Sequence, residues 1–438
     1  MTSVCFVVPS WHYWTNPLKL QPMWEMYYAT VCQAHFDRDD ARVVIEDLRG
    51  HAADSLSEAV SDVGEHDVYA YWIMKTGDSV EIANIVSLIR DRHPAGKHVA
   101  GGTHVDMLPE ECANVFDAII VGPGENSFKQ IVEDTRSGRL EKVYEQPYRE
   151  VPFTDTPFPD RSLLPVDRVV NPLLFEQYGG VPATSLYFSR GCVYKCAFCV
   201  YNVPSYLQVR SREMMRDEIQ YLKDGYGVKG LNFRDEVAIH PNAKISTTMF
   251  EVLGEADIVW RGQTTTVATY EQLKQARDSG CLELSIGVET VDDQVMQIID
   301  KAWQTESQIR SFMENAKKLG IRIKMCLIFG LPGEPPDIVE RSIRFIEETE
   351  PDYISLSGFC PVPGSPIFNN PEQYGIKFID RDWAKHAHLL YRFSDEEEVG
   401  LPFEYEAETQ WGKAFSREQI KENIRQTQRW LETREMVY

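Results

Sequence analysis

The chain has 438 residues, of which 43% are hydrophobic and 11% aromatic, so it can bury large cores and is not wholly disordered. The length suits about three domains of ~150 residues, or fewer if one runs to ~200–250. Lys and Arg total 45 against 67 Asp and Glu, a formal charge of −22, which argues against nucleic acid or an anionic membrane surface as partner.

No run approaches the ~20 apolar residues of a membrane span. The opening residues lack the basic and apolar regions of a secretory signal. A cytoplasmic location is therefore expected, where thiols stay reduced. Nine cysteines, an odd number, do not suggest a disulfide framework in so long a chain.

Residues 1–145 alternate strand-like and helix-like runs, the pattern of an α/β doubly wound parallel sheet. Strands are predicted at Ser3–Pro9, Arg42–Leu48, Val68–Met74, Lys97–Ala100 and Ala118–Val121. Helices are predicted at Pro22–Phe36, Ser79–Arg92 and Ser127–Ser137. Glycine-rich turns follow the fourth and fifth strands, at the sheet edge where open α/β folds take their ligands. Residues 146–180, punctuated by Pro147, Pro152, Pro157, Pro159, Pro165 and Pro172, read as a linker. Alternation resumes over 181–370, with strands at Thr184–Ser189, Gly230–Phe233, Ile258–Gly262, Leu282–Gly287, Ile323–Phe329 and Tyr353–Ser357. Six strands are too few for an eight-stranded barrel and predict a partial one. Residues 371–438 read as a C-terminal capping region with a last helix at Arg417–Arg434.

The strongest chemical signal is Cys192-Val193-Tyr194-Lys195-Cys196-Ala197-Phe198-Cys199, three cysteines at Cx3Cx2C spacing just after a strand. A short loop can aim three thiolates at one soft metal centre, as zinc and iron–sulfur sites require. Zinc would want a fourth ligand, and no further His or Cys lies within ten residues on either side. A cluster with one iron left open uses three. The rival reading is a structural metal clip closed by a distant residue.

At this motif the sequence resembles the radical S-adenosylmethionine enzymes, which carry such a loop after the first strand of a partial (β/α)6 TIM barrel. The resemblance implies that Cys192, Cys196 and Cys199 ligate a [4Fe–4S] cluster whose open iron chelates S-adenosylmethionine. One electron then splits the S–C bond and releases a 5′-deoxyadenosyl radical. Phe198 matches the family's aromatic between the last two cysteines and would pack near the adenine. Further segments fit in the same order along the chain. Phe233-Arg234-Asp235-Glu236 ends the second barrel strand and offers Asp235 and Glu236. Ser285-Ile286-Gly287-Val288-Glu289-Thr290 resembles the Gly-x-Glu-Ser segment, with Glu289 on the ribose or ammonium. Gly330-Leu331-Pro332-Gly333-Glu334 resembles the family's glycine turn, with Gly330 and Gly333 letting the backbone approach the adenine. Arg261 and Gln263 could reach a carboxylate or the substrate.

The front domain resembles the cobalamin-binding domain joined to many of these enzymes. The resemblance rests on Pro17-Leu18-Lys19-Leu20-Gln21-Pro22-Met23, on Gly101-Gly102-Thr103-His104 with Leu108-Pro109-Glu110-Glu111, and on Gly122-Pro123-Gly124-Glu125. It implies cofactor contacts from Thr76, Gly101, Gly102, His104, Gly122, Gly124 and Glu125. Trp24 stands where the family has glycine, and would fill the corrin's space or stack on it. The string Asp91-Arg92-His93-Pro94-Ala95-Gly96 imitates a cobalt-ligand motif but lies at the opposite sheet edge, so His93 is read as a helix-end residue.

Cys360 follows the sixth barrel strand at the active-site end and is the candidate hydrogen-atom donor; the alternative is a packed thiol. Cys5, Cys32, Cys112, Cys281 and Cys326 read as core. Trp383, His386, His388 and Tyr391 form a polar–aromatic group in the tail. Arg190, Lys195, Arg210 and Arg212 ring the cluster loop and suit an acidic flavodoxin or ferredoxin as electron donor.

The expected function is hydrogen abstraction from an unactivated carbon of a small molecule. It would lead to C-methylation if cobalamin is bound. Otherwise it would lead to dehydration, epimerisation, cyclisation or rearrangement. A methylthiotransferase is disfavoured, because Gly375–Tyr438 lacks a basic RNA-binding character. The rival of another class is a non-enzymatic zinc or iron–sulfur protein.

Overall fold

The structure, a computed structural model, describes residues 1–11, 16–52, 55–200, 203–386 and 401–436. It divides into two compact units, residues 1–186 with 208–230 and residues 187–207 with 231–438.

The first unit is built on six parallel strands, β1 (Thr2–Val8), β2 (Ala41–Asp47), β3 (Val68–Trp72), β4 (Lys97–Gly101), β5 (Ala118–Val121) and β6 (Val143–Glu145), in the order β2-β1-β3-β4-β5-β6. Val4, Cys5, Phe6, Val68, Tyr69 and Ala70 are all fully buried, so β1 and β3 read as continuous apolar runs, as expected when helices cover both faces. Helices Met23–Ala34, Asp78–Arg92 and Ser127–Ser137 lie where the periodicity predicts them. The sequence reading does not contain β6, nor the helices Leu56–Ser61, Thr103–Met107 and Pro109–Val115. Each spans two turns or fewer, too short to show a period. At Gly122 the backbone has φ +90°, and a Cβ would fall 2.1 Å from the Gln146 carbonyl oxygen, so the exit from β5, beside the end of β6, requires glycine.

Residues 146–180 hold no element longer than six residues, yet they pack within the first unit. Arg161 is fully buried there. Its guanidinium donates to the carbonyls of Pro159 (2.7 Å) and Ser185 (2.8 Å) and pairs with Glu218 at 3.2 Å.

Two carboxyls of this unit, Glu25 and Asp106, are pushed up to about 7, chiefly by burial. A raised carboxyl keeps its proton in the folded chain after the unfolded chain has lost it. Stability from this source is therefore full below the ordinary carboxylate range and is lost as pH rises through about 7. The melting temperature of the full-length protein should fall between pH 5.5 and 8, and Glu25→Gln should shrink that fall by several degrees. Equal slopes for both proteins would contradict this.

The second parallel sheet counts six strands: β7 (Ala183–Leu186), β8 (Gly230–Phe233), β9 (Val259–Thr264), β10 (Cys281–Glu289), β11 (Arg322–Phe329) and β12 (Tyr353–Gly358), all six where the sequence predicts them. From β8 to β12 they neighbour one another in chain order. Helices Ala243–Ala256, Tyr270–Asp278, Glu306–Leu319 and Ile338–Thr349 alternate with the strands, the pattern of a partial (β/α)6 barrel. Capping boxes at Thr269/Gln272 and Thr305/Gln308 start two of these helices. Along β10, Leu284, Ile286 and Val288 are fully buried, while Glu283, Ser285, Gly287 and Glu289 take the other face. One face of the sheet is thus apolar and the other polar. The C-terminal region adds an antiparallel pair, Ile376–Ile379 with Phe403–Tyr405, and the helix Arg417–Glu432.

Candidate cofactor site

The three-cysteine loop opens at Gly191, whose φ is +88°. A Cβ there would lie 2.2 Å from the Tyr206 carbonyl and 2.6 Å from that of Pro204. Without a side chain the loop folds back on itself, and the Cys192 N–H donates to the Pro204 carbonyl at 3.2 Å. The Cys199 N–H donates to the Cys196 carbonyl, the Ala197 N–H to that of Ile299, and the Ile367 N–H to that of Ala197. Ala197 is fully buried and pins the loop, while the three cysteines are half-buried and form no disulfide. Burial raises the Cys192 thiol, and that of Cys196 to about 11; the Lys301 ammonium pulls both back down.

Among the described residues, no three His, Cys, Asp or Glu side chains gather on one ion-sized point. A single zinc needs all its ligands in one shell at ~2.0–2.3 Å. A cluster gives each thiolate a separate iron and wants them further apart. Three thiolates in one short loop suit a cluster with one iron left open, whereas a zinc clip would want a fourth ligand.

Asp235 is placed differently from its predicted role. It is 2% exposed, and its carboxylate accepts from the Phe188 N–H (3.2 Å) and from the N–H and hydroxyl of Ser189 (2.5 Å each). It ties down the entry to the cysteine loop rather than facing a cofactor. Glu236 is half-buried, and burial pushes its carboxyl up to about 8. Arg261 Nε donates to Asn232 Oδ1 at 3.0 Å, and its Nη1 lies 3.5 Å from Glu283, so it belongs to a buried polar network. Gln263 is exposed and donates to the Glu236 carbonyl at 3.2 Å. Phe198 is half-buried within the loop.

Glu289 ends β10 with φ +66°, and its Oε1 meets the Lys301 ammonium at 2.9 Å. Gly330 and Gly333 both have positive φ. A Cβ at Gly330 would meet Ile420 Cγ2 at 2.9 Å, and one at Gly333 would meet Ile298 Cδ1 at 2.4 Å. Backbone geometry and packing thus require both glycines. Glu334 caps this turn, accepting from the N–H groups of Gly330 and Leu331.

Cys360 is 6% exposed, with Sγ 3.7 Å from His386 Nδ1. His386 Nε2 lies 2.6 Å from the Asp380 carbonyl, which can only accept, so Nε2 carries the proton and the thiol donates to Nδ1. Cys360 therefore has a structural partner, and no reaction step is assigned to it. Cys5, Cys32, Cys112 and Cys281 are buried, as read, while Cys326 is half-buried. Trp383 packs edge-on against His386 at 4.9 Å; His388 and Tyr391 lie outside the described residues. The expected ring of cations is also corrected. Arg190 is 5% exposed, and Arg210 is 3% exposed, with its guanidinium 4.4 Å over the Phe153 ring and bonded to the Thr156 and Pro157 carbonyls. Lys195 stays exposed.

In the first unit, His104 and Thr76 are buried and bonded to each other at 3.3 Å, tying together the loops after β3 and β4. Glu125 accepts from the Tyr27 hydroxyl at 2.8 Å. At three of the predicted glycines a side chain would meet atoms of the unit itself. A Cβ on Gly101 would lie 2.5 Å from the Trp72 ring, one on Gly102 2.6 Å from the Ile73 carbonyl, and one on Gly124 3.0 Å from Tyr28 and Phe128. His93 caps the end of its helix, with Nε2 3.1 Å from the Val63 carbonyl. Trp24 is half-buried and stacks on Tyr28 at 5.9 Å, which in turn contacts Trp72 at 3.9 Å. At this sheet edge, Gln21 Nε2 and Trp72 Nε1 are buried without a hydrogen-bond partner among the described residues, while Asp106, on the helix Thr103–Met107, accepts from the Gly122 N–H at 2.7 Å. Such orphaned atoms are costly unless something polar meets them, and they fit a large polar ligand at this edge.

The family model described as the radical SAM superfamily matches residues 186–346. An uncharacterised methyltransferase of Pyrococcus horikoshii is 26% identical over 314 residues, which cover 66% of each chain. The bacteriochlorophyllide d C-8(2)-methyltransferase of Chlorobaculum tepidum is 21% identical over 361 residues, covering 79% of this chain and 78% of that one. The methyltransferase TsrM from Kitasatospora setae, solved with cobalamin and a [4Fe–4S] cluster, superposes with a TM-score of 0.65 at 15% identity, over 86% of this chain and 79% of its own. The cobalamin-dependent enzyme OxsB, solved with aqua-cobalamin, gives 0.69 at 14% identity, over 99% and 67%. These likenesses are of fold.

Residues 186–346, which hold the cysteine loop, thus match the radical S-adenosylmethionine superfamily, and the likeness of the rest of the chain to TsrM and OxsB is one of fold. A [4Fe–4S] cluster and S-adenosylmethionine are the cofactors of that class. Among the described residues no helix is long and apolar enough to cross a membrane.

Sequence reasoning missed Lys301, Trp303 and Gln304, which pack against the cysteine loop and the end of β10. The Trp303 ring stacks on Tyr194 at 4.1 Å, and Gln304 donates to the Gly287 and Val288 carbonyls. No local motif marks them.

Proposed function

We propose that this chain is a radical S-adenosylmethionine C-methyltransferase that acts on a small biosynthetic molecule and carries cobalamin on its first unit. The observation that carries the reading is the pair of buried, unpartnered polar atoms Gln21 Nε2 and Trp72 Nε1, with the Trp72 ring in the aromatic group of Trp24, Tyr28 and Trp72. Cys192, Cys196 and Cys199 would hold the cluster and leave one iron open. Glu289 and Glu236 supply acceptors for the ammonium and ribose hydroxyls of S-adenosylmethionine, and Phe198 offers an apolar ring for the adenine. When bound, the cluster supplies one electron for S–C cleavage, and cobalamin supplies the methyl group. A small reduced redox protein is the proposed electron source, with Lys195 the exposed cation on the loop.

The test is incubation of the anaerobically reconstituted protein with hydroxocobalamin, followed by removal of excess. The reading expects stoichiometric cobalt with the bands of a bound corrin, and Trp24→Ala should change those bands. An intact cluster that cleaves S-adenosylmethionine without retained cobalt would overturn the methylation reading in favour of a cobalamin-free radical reaction.

A further inference from the structure

Lys301 sits where three segments meet. Its ammonium pairs with Glu289 Oε1 at 2.9 Å and also donates to the Gly287 carbonyl. Its side chain is 5% exposed. The Trp303 ring lies 5.5 Å from it and stacks on Tyr194, two residues beyond Cys192. The Ala197 N–H donates to the Ile299 carbonyl, so the turn that carries Lys301 is fastened to the cysteine loop.

The chain accepts unusual backbone to build this pair. Glu289 and Asp300 are both non-glycine residues at positive φ, +66° and +55°. Positive φ is strained for residues with a Cβ, and such positions tend to cluster at functional sites. A Cβ on Gly287 would stand 2.2 Å from Glu289 Oε1 and 3.2 Å from Lys301 Nζ. The glycine of the Gly-Val-Glu segment is therefore the clearance for the ion pair.

We infer that Lys301 is a positioning residue with two tasks. It holds Glu289 by one oxygen so that the other faces S-adenosylmethionine, and it sets a buried positive charge beside the cluster that favours the reduced form. The inference rests on the cluster and Glu289 roles proposed above. Reduction adds one negative charge to the cluster, and a nearby fixed cation stabilises that charge more strongly in a low-dielectric surround than in water. Breaking a buried pair is costly, so Glu289 keeps Lys301 when the cofactor binds.

The test uses the anaerobically reconstituted full chain and compares wild type with Lys301→Met, Lys301→Arg and Glu289→Gln. Iron content is measured first, so that a missing cluster in wild type counts against the cluster assignment and not against Lys301. A redox titration of the cluster and equilibrium dialysis with S-adenosylmethionine follow. Lys301→Met should lower the reduced-to-oxidised ratio at fixed potential about tenfold, about 59 mV for one electron. Glu289→Gln should move it the other way, because it leaves the cation unpaired. S-adenosylmethionine should bind at least tenfold more weakly to Lys301→Met, with Lys301→Arg between it and wild type. Unchanged potential and affinity in iron-loaded Lys301→Met would overturn the inference. If Lys301→Met fails to hold iron, Lys301→Arg and Glu289→Gln decide it. Shifts of the same sign in Lys301→Arg and Glu289→Gln, or no shift in either, would contradict it.

Discussion

Replacing any one of Cys192, Cys196 and Cys199 by alanine should reduce bound iron and sulfide to background and abolish formation of 5′-deoxyadenosine. Each thiolate is expected to hold a different iron, and neither Cys360 nor Cys326 stands ready to substitute. Cys360 is committed to His386, and Cys326 lies on β11, outside the loop. The contrast with the other cysteines sharpens the expectation. Cys360→Ala should keep a full cluster, and Cys32→Ala and Cys281→Ala should cost only packing, on the order of 1–3 kcal/mol. Iron and sulfide analysis of the anaerobically reconstituted variants decides it. Full iron in any one of the three loop variants would show that its cysteine is not a ligand.

Asp235→Ala should be the most damaging substitution outside the loop. The Asp235 carboxylate accepts from two backbone N–H groups and one hydroxyl at the entry to the cysteine loop, all in a buried place. Removing it strands up to three donors at ~1–3 kcal/mol each, so a loss of about 3 kcal/mol or more is expected. The damage should be local as well as global, because Ser189 stands three residues before Cys192. Melting temperature and iron content should fall together in Asp235→Ala, and less in Asp235→Asn, whose amide oxygen can still accept. A variant with wild-type melting and iron content would contradict this role.

Asp235 also illustrates what the sequence can and cannot tell. Its place at the end of a strand was legible from the apolar run Gly230–Phe233 before it and the polar residues after it. Its direction was not, because a carboxylate at a strand end can face a cofactor or its own backbone equally well. The same holds for Gly330 and Gly333. Their need for positive φ is written in the Gly-Leu-Pro-Gly turn, but the atoms that crowd them, Ile420 and Ile298, come from distant segments. The strands of both sheets were readable because each carries a run of apolar residues long enough to show its kind. The short β6 and the helices after Gly102 were not, being set by tertiary contacts. Arg210 looked like part of a solvated rim, and the structure buries it against Phe153 and two carbonyls. Lys301 was invisible for the opposite reason. It is 12 residues beyond Glu289, and only the tertiary fold brings the two together.

A three-cysteine cluster with one iron open to S-adenosylmethionine is the centre of the proposed chemistry. Electron paramagnetic resonance of the reduced, anaerobically reconstituted protein, with and without S-adenosylmethionine, tests this most directly. The expected result is a [4Fe–4S] signal whose shape changes when S-adenosylmethionine is added, because the cofactor takes the open iron. A cluster signal indifferent to S-adenosylmethionine, or a colourless protein carrying one zinc under conditions that exclude oxygen, would contradict it.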